Sequence, residues 1–247
     1  MGYAIKIGGI GSLSENDRNK IITIYNRVVP NGTLLGYIRD DWLTSSEFNN
    51  LLYNKWFYKC FIGQRVSISN SASETATSMR WLIIDRDHER SGNSYDLMAS
   101  MPVRSTKLNT VIYNTGTNDR VWLNGTFYDG FEWNIKTWMV PMCIQRYYDN
   151  TRRYVMYDKV KLPSATELDA TWLVKKFGYA DGEEYRLVPN GCGAVTAGAN
   201  FWTRSWSTTA NRWMIEYARG RAVEKKASSN SYGLVPIIRV ANNYSNP

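Results

Sequence analysis

The sequence predicts an α+β protein that begins with helices and continues as antiparallel sheet. Near the start of the chain, Ser/Thr-x-x-Glu capping boxes precede apolar residues at helical spacing. From Cys60 onward, short β-prone runs are separated by Ser, Asn and Gly. With 247 residues, of which 43% are hydrophobic, the chain can bury a substantial core without needing disulfide bonds.

Two amphipathic helices are expected before the sheet. Ser12 and Glu15 form the first capping box and precede an apolar stripe over residues 16–29, which ends at a Pro-Asn-Gly turn. Thr44 and Glu47 repeat the spacing, and a second apolar stripe follows them. Both patterns indicate helices with one face to bury.

These helices lead us to divide the chain into a helical N-terminal unit, residues 1–59, and a domain of residues 60–247. Two roles stay open for the unit. It either covers a sheet of the domain, or it forms an arm that docks the protein onto a larger assembly.

The domain is expected to hold seven strands with turns between them. The β-prone runs are residues 66–69, 80–85, 95–101, 201–205, 212–218, 221–224 and 234–240. The ten polar or small residues 69–78 indicate an exposed and mobile hairpin tip. Pro236 lacks an amide donor, so we expect an edge or a bulge there.

Two helices are predicted between these strands. Asp119 can cap a short or broken helix over residues 121–131, with Val121, Phe127 and Phe131 on one face. Ser164 and Glu167 form a third capping box, which opens a helix that ends at Gly178.

Four motifs occur in order after RWLIID (80–85): VWLNGTFYDGF, KLPSATEL, FWTRSW and YGLVPIIRV. In this order they resemble a C-type-lectin-like domain family of uncharacterised function from Gram-positive bacteria and their phages. The resemblance covers residues 80–240 and implies a mixed fold with a twisted antiparallel sheet and two flanking helices. Its broad fold is shared with formylglycine-generating enzymes and with hypervariable receptor-binding proteins of some phages.

The FWTRSW motif is predicted to be the structural centre of the domain. In an extended strand Trp202 and Arg204 point to one side, and the residues between and beside them point to the other. We expect one face to be core, with Trp202 mostly buried. A buried guanidinium needs several acceptors, so Arg204 should brace nearby loops through backbone carbonyls.

A ligand-binding edge is predicted next to this strand. The loop of residues 205–213 and the following hairpin tip offer rings that can stack on sugars and guanidinium groups that can bind phosphate or carboxylate. In the alternative, the Trp residues are core and the arginines pair with local acids. The candidate ligand-binding residues are Trp206, Asn211, Arg212, Trp213, Arg219 and Arg221.

The sequence predicts a protein that is not an enzyme and has no cofactor or metal. Its one histidine, His88, stands in a charged turn, and no catalytic constellation is identifiable. Cys60, Cys143 and Cys192 are widely spaced, so we interpret them as buried thiols and not as the reactive pair of formylglycine-generating enzymes. The Glu-Pro-Asn, Gln-Pro-Asp and Trp-Asn-Asp triplets of calcium-dependent lectins do not occur.

The formal net charge of +8 favours an anionic partner, but the paired lysines are too sparse for a nucleic-acid arm. No apolar run is long enough for a membrane span, and the N-terminus does not resemble a signal peptide. We therefore expect a protein made in a host cytoplasm and found in a virion, as virion proteins leave by lysis.

The leading hypothesis is a non-enzymatic bacteriophage or prophage virion protein at the capsid, tail or baseplate. Its N-terminal unit would contact other virion proteins, as a homo-oligomer within an assembly, and its domain would bind a bacterial surface carbohydrate. Three alternatives stay open: an architectural capsid decoration or baseplate subunit without a ligand, a bacterial ligand-binding module, and a degenerate relative of the formylglycine-generating fold.

Overall fold

The computed structural model describes residues 42–44, 46–48, 65–86, 94–110, 115–147, 153–165, 199–206, 211–216 and 221–241. Within these ranges the chain is mainly antiparallel sheet with a few short helices, which confirms the α+β class. The strands are β1 (Trp42–Leu43), β2 (Arg65–Ser69), β3 (Ser78–Arg86), β4 (Ser94–Ala99), β5 (Arg104–Thr106), β6 (Met142–Tyr147), β7 (Arg153–Asp158), β8 (Val160–Lys161), β9 (Phe201–Trp206), β10 (Asn211–Glu216), β11 (Arg221–Lys226), β12 (Tyr232–Leu234) and β13 (Ile237–Ala241).

The larger sheet contains six of these strands in the order β1-β2-β3-β4-β13-β8. The strand pairs are antiparallel except for β1 and β2, which run parallel. All six residues of β4 are buried. A strand buried on both sides shows no alternation of polar and apolar residues, so β4 lies in the interior of the domain.

The second sheet has the order β11-β10-β9-β12-β5, and β6 pairs with β7 as a separate hairpin. The predicted single strand over residues 234–240 is in fact two strands, because β12 belongs to the second sheet and β13 to the first. Pro236 lies in the break between them, where its missing amide donor costs no ladder bond. Its carbonyl accepts a hydrogen bond from the backbone N–H of Ala99 at 2.9 Å.

One hydrophobic cluster joins the two sheets within the part of the chain that the structure describes. It includes Trp81 and Ile83 from the first sheet and Phe201, Trp202 and Ile215 from the second. Within the described residues the two sheets therefore share one core. Both sides of β9 are buried from residue 201 to 205, so the face that carries Trp202 and Arg204 is enclosed as well as the opposite one.

The second predicted capping box is confirmed. The backbone N–H of Thr44 donates to the Glu47 carboxylate at 2.8 Å, and the backbone N–H of Glu47 donates to the Thr44 hydroxyl at 3.2 Å. Phe48, directly after it, is fully buried in the hydrophobic cluster, and β1 pairs with β2. The described residues of the predicted N-terminal unit therefore belong to the sheet and core of the domain. The first predicted helix lies outside the described residues.

The broken helix predicted over residues 121–131 is present, and a second helix that was not predicted follows it. Helix α1 (Asn118–Trp122) continues into a π-helical turn (Leu123–Phe127), and α2 (Trp133–Trp138) follows after a short break. The cap position is Thr117, and Asp119 is a buried residue of the first turn, not the cap. Val121 is 55% exposed and does not share the buried face of Phe127 and Phe131. The helix predicted from Ser164 lies outside the described residues beyond Ala165.

The polar stretch between β2 and β3 is an anchored turn instead of a free hairpin tip. Asn70 is fully buried, and its amide nitrogen donates to the carbonyl of Phe127 at 2.9 Å. Glu74 donates its backbone N–H to the carbonyl of Val103, also at 2.9 Å. The polar side chains that made the stretch look free are the groups that tie it to the helical segment and to β5.

Candidate functional site

Two residues of the predicted ligand-binding edge are interior. Residues 201–206 and 211–216 form the antiparallel strands β9 and β10, so the expected loop is much shorter. Arg212 is fully buried and Trp213 is 2% exposed, which matches the alternative in which the Trp is core and the arginine pairs with an acid. Neither side chain is available to a ligand at the surface, because residues 201–205 of β9 and 212–215 of β10 are buried on both sides of the sheet.

For three of the other four predicted site residues the structure does not describe the side chain. Asn211 is half-buried at the first position of β10, opposite Lys226 of β11. Trp206 and Arg221 lie on β9 and β11, but their side chains are outside what the structure describes. Arg219 lies outside the described residues.

Two buried ion pairs and one partly buried pair involve arginines of the described residues. Arg212 contacts Asp119 at 2.8 Å, and neither side chain is exposed. Arg239 on β13 donates to both carboxylate oxygens of Asp96, the residue directly opposite on β4, at 2.6 and 2.8 Å. The third pair joins Arg120 of α1 to Asp158 of β7. Paired buried charges of this kind fix strands and helices relative to each other.

The sequence motifs bond to each other inside the domain. Arg204 donates from its guanidinium to the carbonyl of Leu162 at 2.8 Å, and Ala165 donates its backbone N–H to the Ser205 hydroxyl at 2.8 Å. The LPSA and FWTRS segments therefore form one contact. The expected roles of Trp202, which is fully buried, and of Arg204, which braces a loop carbonyl, are confirmed.

A different surface combines an exposed ring and a half-buried ring with positive charge. We call it the Tyr128 surface and define it by Tyr128, Trp133, Lys136 and Lys159. The Lys136 ammonium lies 5.9 Å from the centroid of the Tyr128 ring, and the Lys159 ammonium lies 5.1 Å from it. Lys159 also donates a hydrogen bond to the Tyr128 phenol oxygen at 3.1 Å. Trp133 is 75% exposed and stands one helical turn before Lys136 on α2.

The π-helical turn holds this surface together. Asn124, within the turn, accepts hydrogen bonds from the backbone N–H groups of Lys159 and Val160 at 3.0 and 3.1 Å. Its amide nitrogen donates to the Val160 carbonyl at 2.8 Å. Turns of this type often occur at functional sites. Here one asparagine fixes the backbone of Lys159 next to the helix that carries Tyr128.

The two lysines of the Tyr128 surface lack the carboxylate partner that Arg104, another cation next to an aromatic ring, has in the described residues. Arg104 lies 5.0 Å from the Trp122 ring centroid, but Glu74 pairs with its guanidinium at 3.2 Å. Among the described residues no carboxylate lies within ion-pair distance of Lys136 or Lys159. The Tyr128 surface therefore presents two positive charges without a counter-charge from the described part of the chain.

This surface was missed in the sequence because it has no local signal. Tyr128, Lys136 and Lys159 come from three different segments, and α2 lacks a capping side chain that would mark its start. Its chemistry suits an anion next to a ring-stacking group.

Among the described residues there is no group of three or more His, Cys, Asp or Glu side chains that could hold a metal ion. The two cysteines other than half-buried Cys143, and the histidine, lie outside the described residues. No helix in the described ranges has the length and apolar character to cross a bilayer.

The fold and this surface define an α+β domain with one core and a cationic, ring-bearing face. Residues 79–243 match the family DUF6273, a domain of unknown function, and because this match covers more than half of the chain, the protein belongs to that family. No curated protein matches the chain. The four motifs and the Tyr128 surface all lie within the matched residues.

Proposed function

We propose that the protein is a non-enzymatic virion component of a bacteriophage or prophage that displays its DUF6273 domain, with a C-type-lectin-like fold, and binds a glycopolymer of the host surface. The Tyr128 surface is the observation that carries this proposal. It joins a ring that is 75% exposed, Trp133, to two lysines that have no carboxylate partner among the described residues.

Rings and ammonium groups together suit a charged saccharide. A sugar presents C–H groups that pack on an aromatic face, and its acidic substituents attract ammonium groups. The net charge of +8 further favours association with an anionic cell surface. The FWTRSW motif is buried in the core, whereas the VWLNGTFYDGF motif contributes Tyr128 to the proposed recognition surface.

The test measures binding of the purified full chain to cell walls of the host by co-sedimentation. We expect wild-type protein to bind and Trp133→Ala to bind about two- to tenfold more weakly, as stacking on one ring contributes about 0.5–1.5 kcal/mol. Val121→Ala is the matched control, because Val121 is also exposed on the same helical segment. Failure of the wild-type protein to bind any wall preparation would contradict the ligand-binding part of the proposal.

An architectural virion role without a ligand is the second candidate. It is favoured by exposed Val121 and Tyr157, since exposed large apolar side chains also suit a contact with a neighbouring subunit. Mass spectrometry of purified particles tests the virion placement that both candidates share. Particles that contain the protein, combined with an absence of wall binding, would favour the architectural role.

A further inference from the structure

We infer that the Tyr128 surface binds a phosphate group carried by a saccharide. The ammonium groups of Lys136 and Lys159 and the phenol O–H of Tyr128 are the donors, and Trp133 packs against the adjoining sugar. The inference rests on the proposed function, which supplies the host surface as the source of the ligand. It adds the chemical class of that ligand.

The first argument for a bound anion is the position of two positive charges, those of Lys136 and Lys159, near the Tyr128 ring. Both ammonium groups lie within 6 Å of the Tyr128 ring centroid, and the described residues supply no carboxylate to either of them. Lys136 is bonded to the backbone carbonyl of Asp129 at 3.2 Å, which carries no formal negative charge. A bound anion would therefore supply the counter-charge that both ammonium groups lack among the described residues. Each lysine has a flexible four-carbon stem, so both can turn toward one anion.

The phenol of Tyr128 provides a third donor. The Lys159 ammonium can only donate, so in the 3.1 Å hydrogen bond the phenol oxygen is the acceptor. The phenol proton then stays available, and within the described ranges no protein acceptor takes it. An oxygen of a bound anion can accept this proton while its other oxygens face the lysines.

The choice of lysine over arginine favours phosphate over carboxylate. A planar carboxylate is best matched by the planar fork of arginine, whereas lysine binds phosphate as a point charge. The Tyr128 surface contains two lysines and a phenol, which are three separate donor groups and not one planar fork. A tetrahedral group with oxygens pointing in several directions satisfies such donors better than a planar one.

A saccharide phosphate fits better than nucleic acid. Proteins that bind nucleic acid contact many phosphates along a basic stripe. Here the positive field is local, since the exposed side chains of Asp129 and Glu132 lie in the same stretch as Tyr128 and Lys136. Closely spaced phosphates would meet these acids, while one phosphate between neutral sugars would not.

The experiment compares ligands by NMR titration of the full chain, with the Trp133 indole N–H as the reporter. The probes are glucose 1-phosphate, glucose, glucuronic acid, inorganic phosphate and a short oligothymidylate. We expect glucose 1-phosphate to bind at least about tenfold more tightly than glucose or glucuronic acid and to weaken as salt rises. Inorganic phosphate should bind more weakly than glucose 1-phosphate, because it lacks the sugar that contacts Trp133.

Variants locate the site. Lys136→Gln/Lys159→Gln should lose at least about tenfold in affinity for glucose 1-phosphate, whereas Lys107→Gln/Lys226→Gln, which removes the same charge from two exposed positions, should not. Thermal melting checks that both variants fold. Tyr128→Phe removes only the phenol donor and should weaken binding by a few-fold, so it tests the site even where the double variant is destabilised.

Equal binding of glucuronic acid, preference for the oligothymidylate, equal loss in the control variant or no binding of any probe would each overturn the inference. The results also distinguish failure of this inference from failure of the proposed function. Wall binding by the wild-type protein that survives Lys136→Gln/Lys159→Gln would keep the function and reject this site, while phosphate-sugar binding without wall binding would do the reverse.

Discussion

Asp96→Asn tests how much the buried ion pair between β4 and β13 stabilises the domain. Asp96 and Arg239 are each 1% exposed, lie directly opposite on β4 and β13 and share hydrogen bonds of 2.6 and 2.8 Å. The substitution removes the counter-charge and leaves a guanidinium in the core. Breaking a buried pair in this way costs about 3–5 kcal/mol.

A surface pair supplies the matched control. Glu74 and Arg104 are 3.2 Å apart, but their side chains are 52% and 33% exposed. Solvent screens such a pair, so Glu74→Gln should cost no more than about 1 kcal/mol. The same neutralisation of one carboxylate therefore has two very different expected effects, and burial is the physical difference between them.

Urea unfolding followed by Trp fluorescence measures both variants. With a slope of about 3 kcal/mol per M, Asp96→Asn should lower the midpoint by about 1–1.7 M and Glu74→Gln by about 0.3 M or less. The double variant Asp96→Leu/Arg239→Met should lose less than either single variant, because it leaves no unpaired charge. Equal shifts for Asp96→Asn and Glu74→Gln, or additive losses in the double variant, would refute the reasoning.

Three further predictions concern the core, the helical segment and the capping box. Trp202→Ala should destabilise the domain by about 3–5 kcal/mol in the same assay, and an unchanged midpoint would contradict the core role. Gly130→Ala should be destabilising, because its Cβ would meet the β2–β3 turn at 2.4 Å, whereas Gly125→Ala has nothing within 4 Å and should be neutral or stabilising by up to about 1 kcal/mol; thermal melting separates them. Hydrogen bonds from the backbone N–H of Thr44, and to a lesser extent from its hydroxyl, lower the pKa of Glu47. The stability that these bonds contribute is therefore present above the pKa of Glu47 in the unfolded chain and is lost as pH falls through its pKa in the folded protein. Thr44→Ala removes only the hydroxyl and should raise the pKa of Glu47 part of the way back, as an NMR titration would show.

The sequence predicted those elements whose signal is local. The apolar run of residues 80–85 and the aromatic run of 201–205 are strands in the structure, and Thr44 with Glu47 is a capping box, because each depends on neighbours in the chain. The β6–β7 hairpin and α2 were not predicted. The helix α2 is only six residues long and lacks a side-chain cap, so little in the sequence marks it.

The candidate site could not be predicted, because burial and pairing across the chain decide it. Arg212 was a candidate ligand-binding residue, but its partner Asp119 lies on a helix far away in the sequence, and both sides of β10 are buried at its centre. The central residues of β10 are all buried, so the strand shows no alternation that would distinguish an inner from an outer position. Lys159 contacts Tyr128 only because Asn124 holds the β7–β8 turn against the helical segment.

The passage of the chain through Pro236 has a consequence for synthesis. Residues 232–234 complete one sheet and residues 237–241 the other, and Arg239 reaches its partner Asp96 across 143 positions of sequence. A nascent chain that has not yet reached this segment lacks an interior strand in both sheets and leaves Asp96 buried without its cation. Folding of the domain is therefore a late event on the ribosome, and chains that terminate before Pro236 should be degraded as unfolded polypeptide instead of accumulating as partly assembled protein.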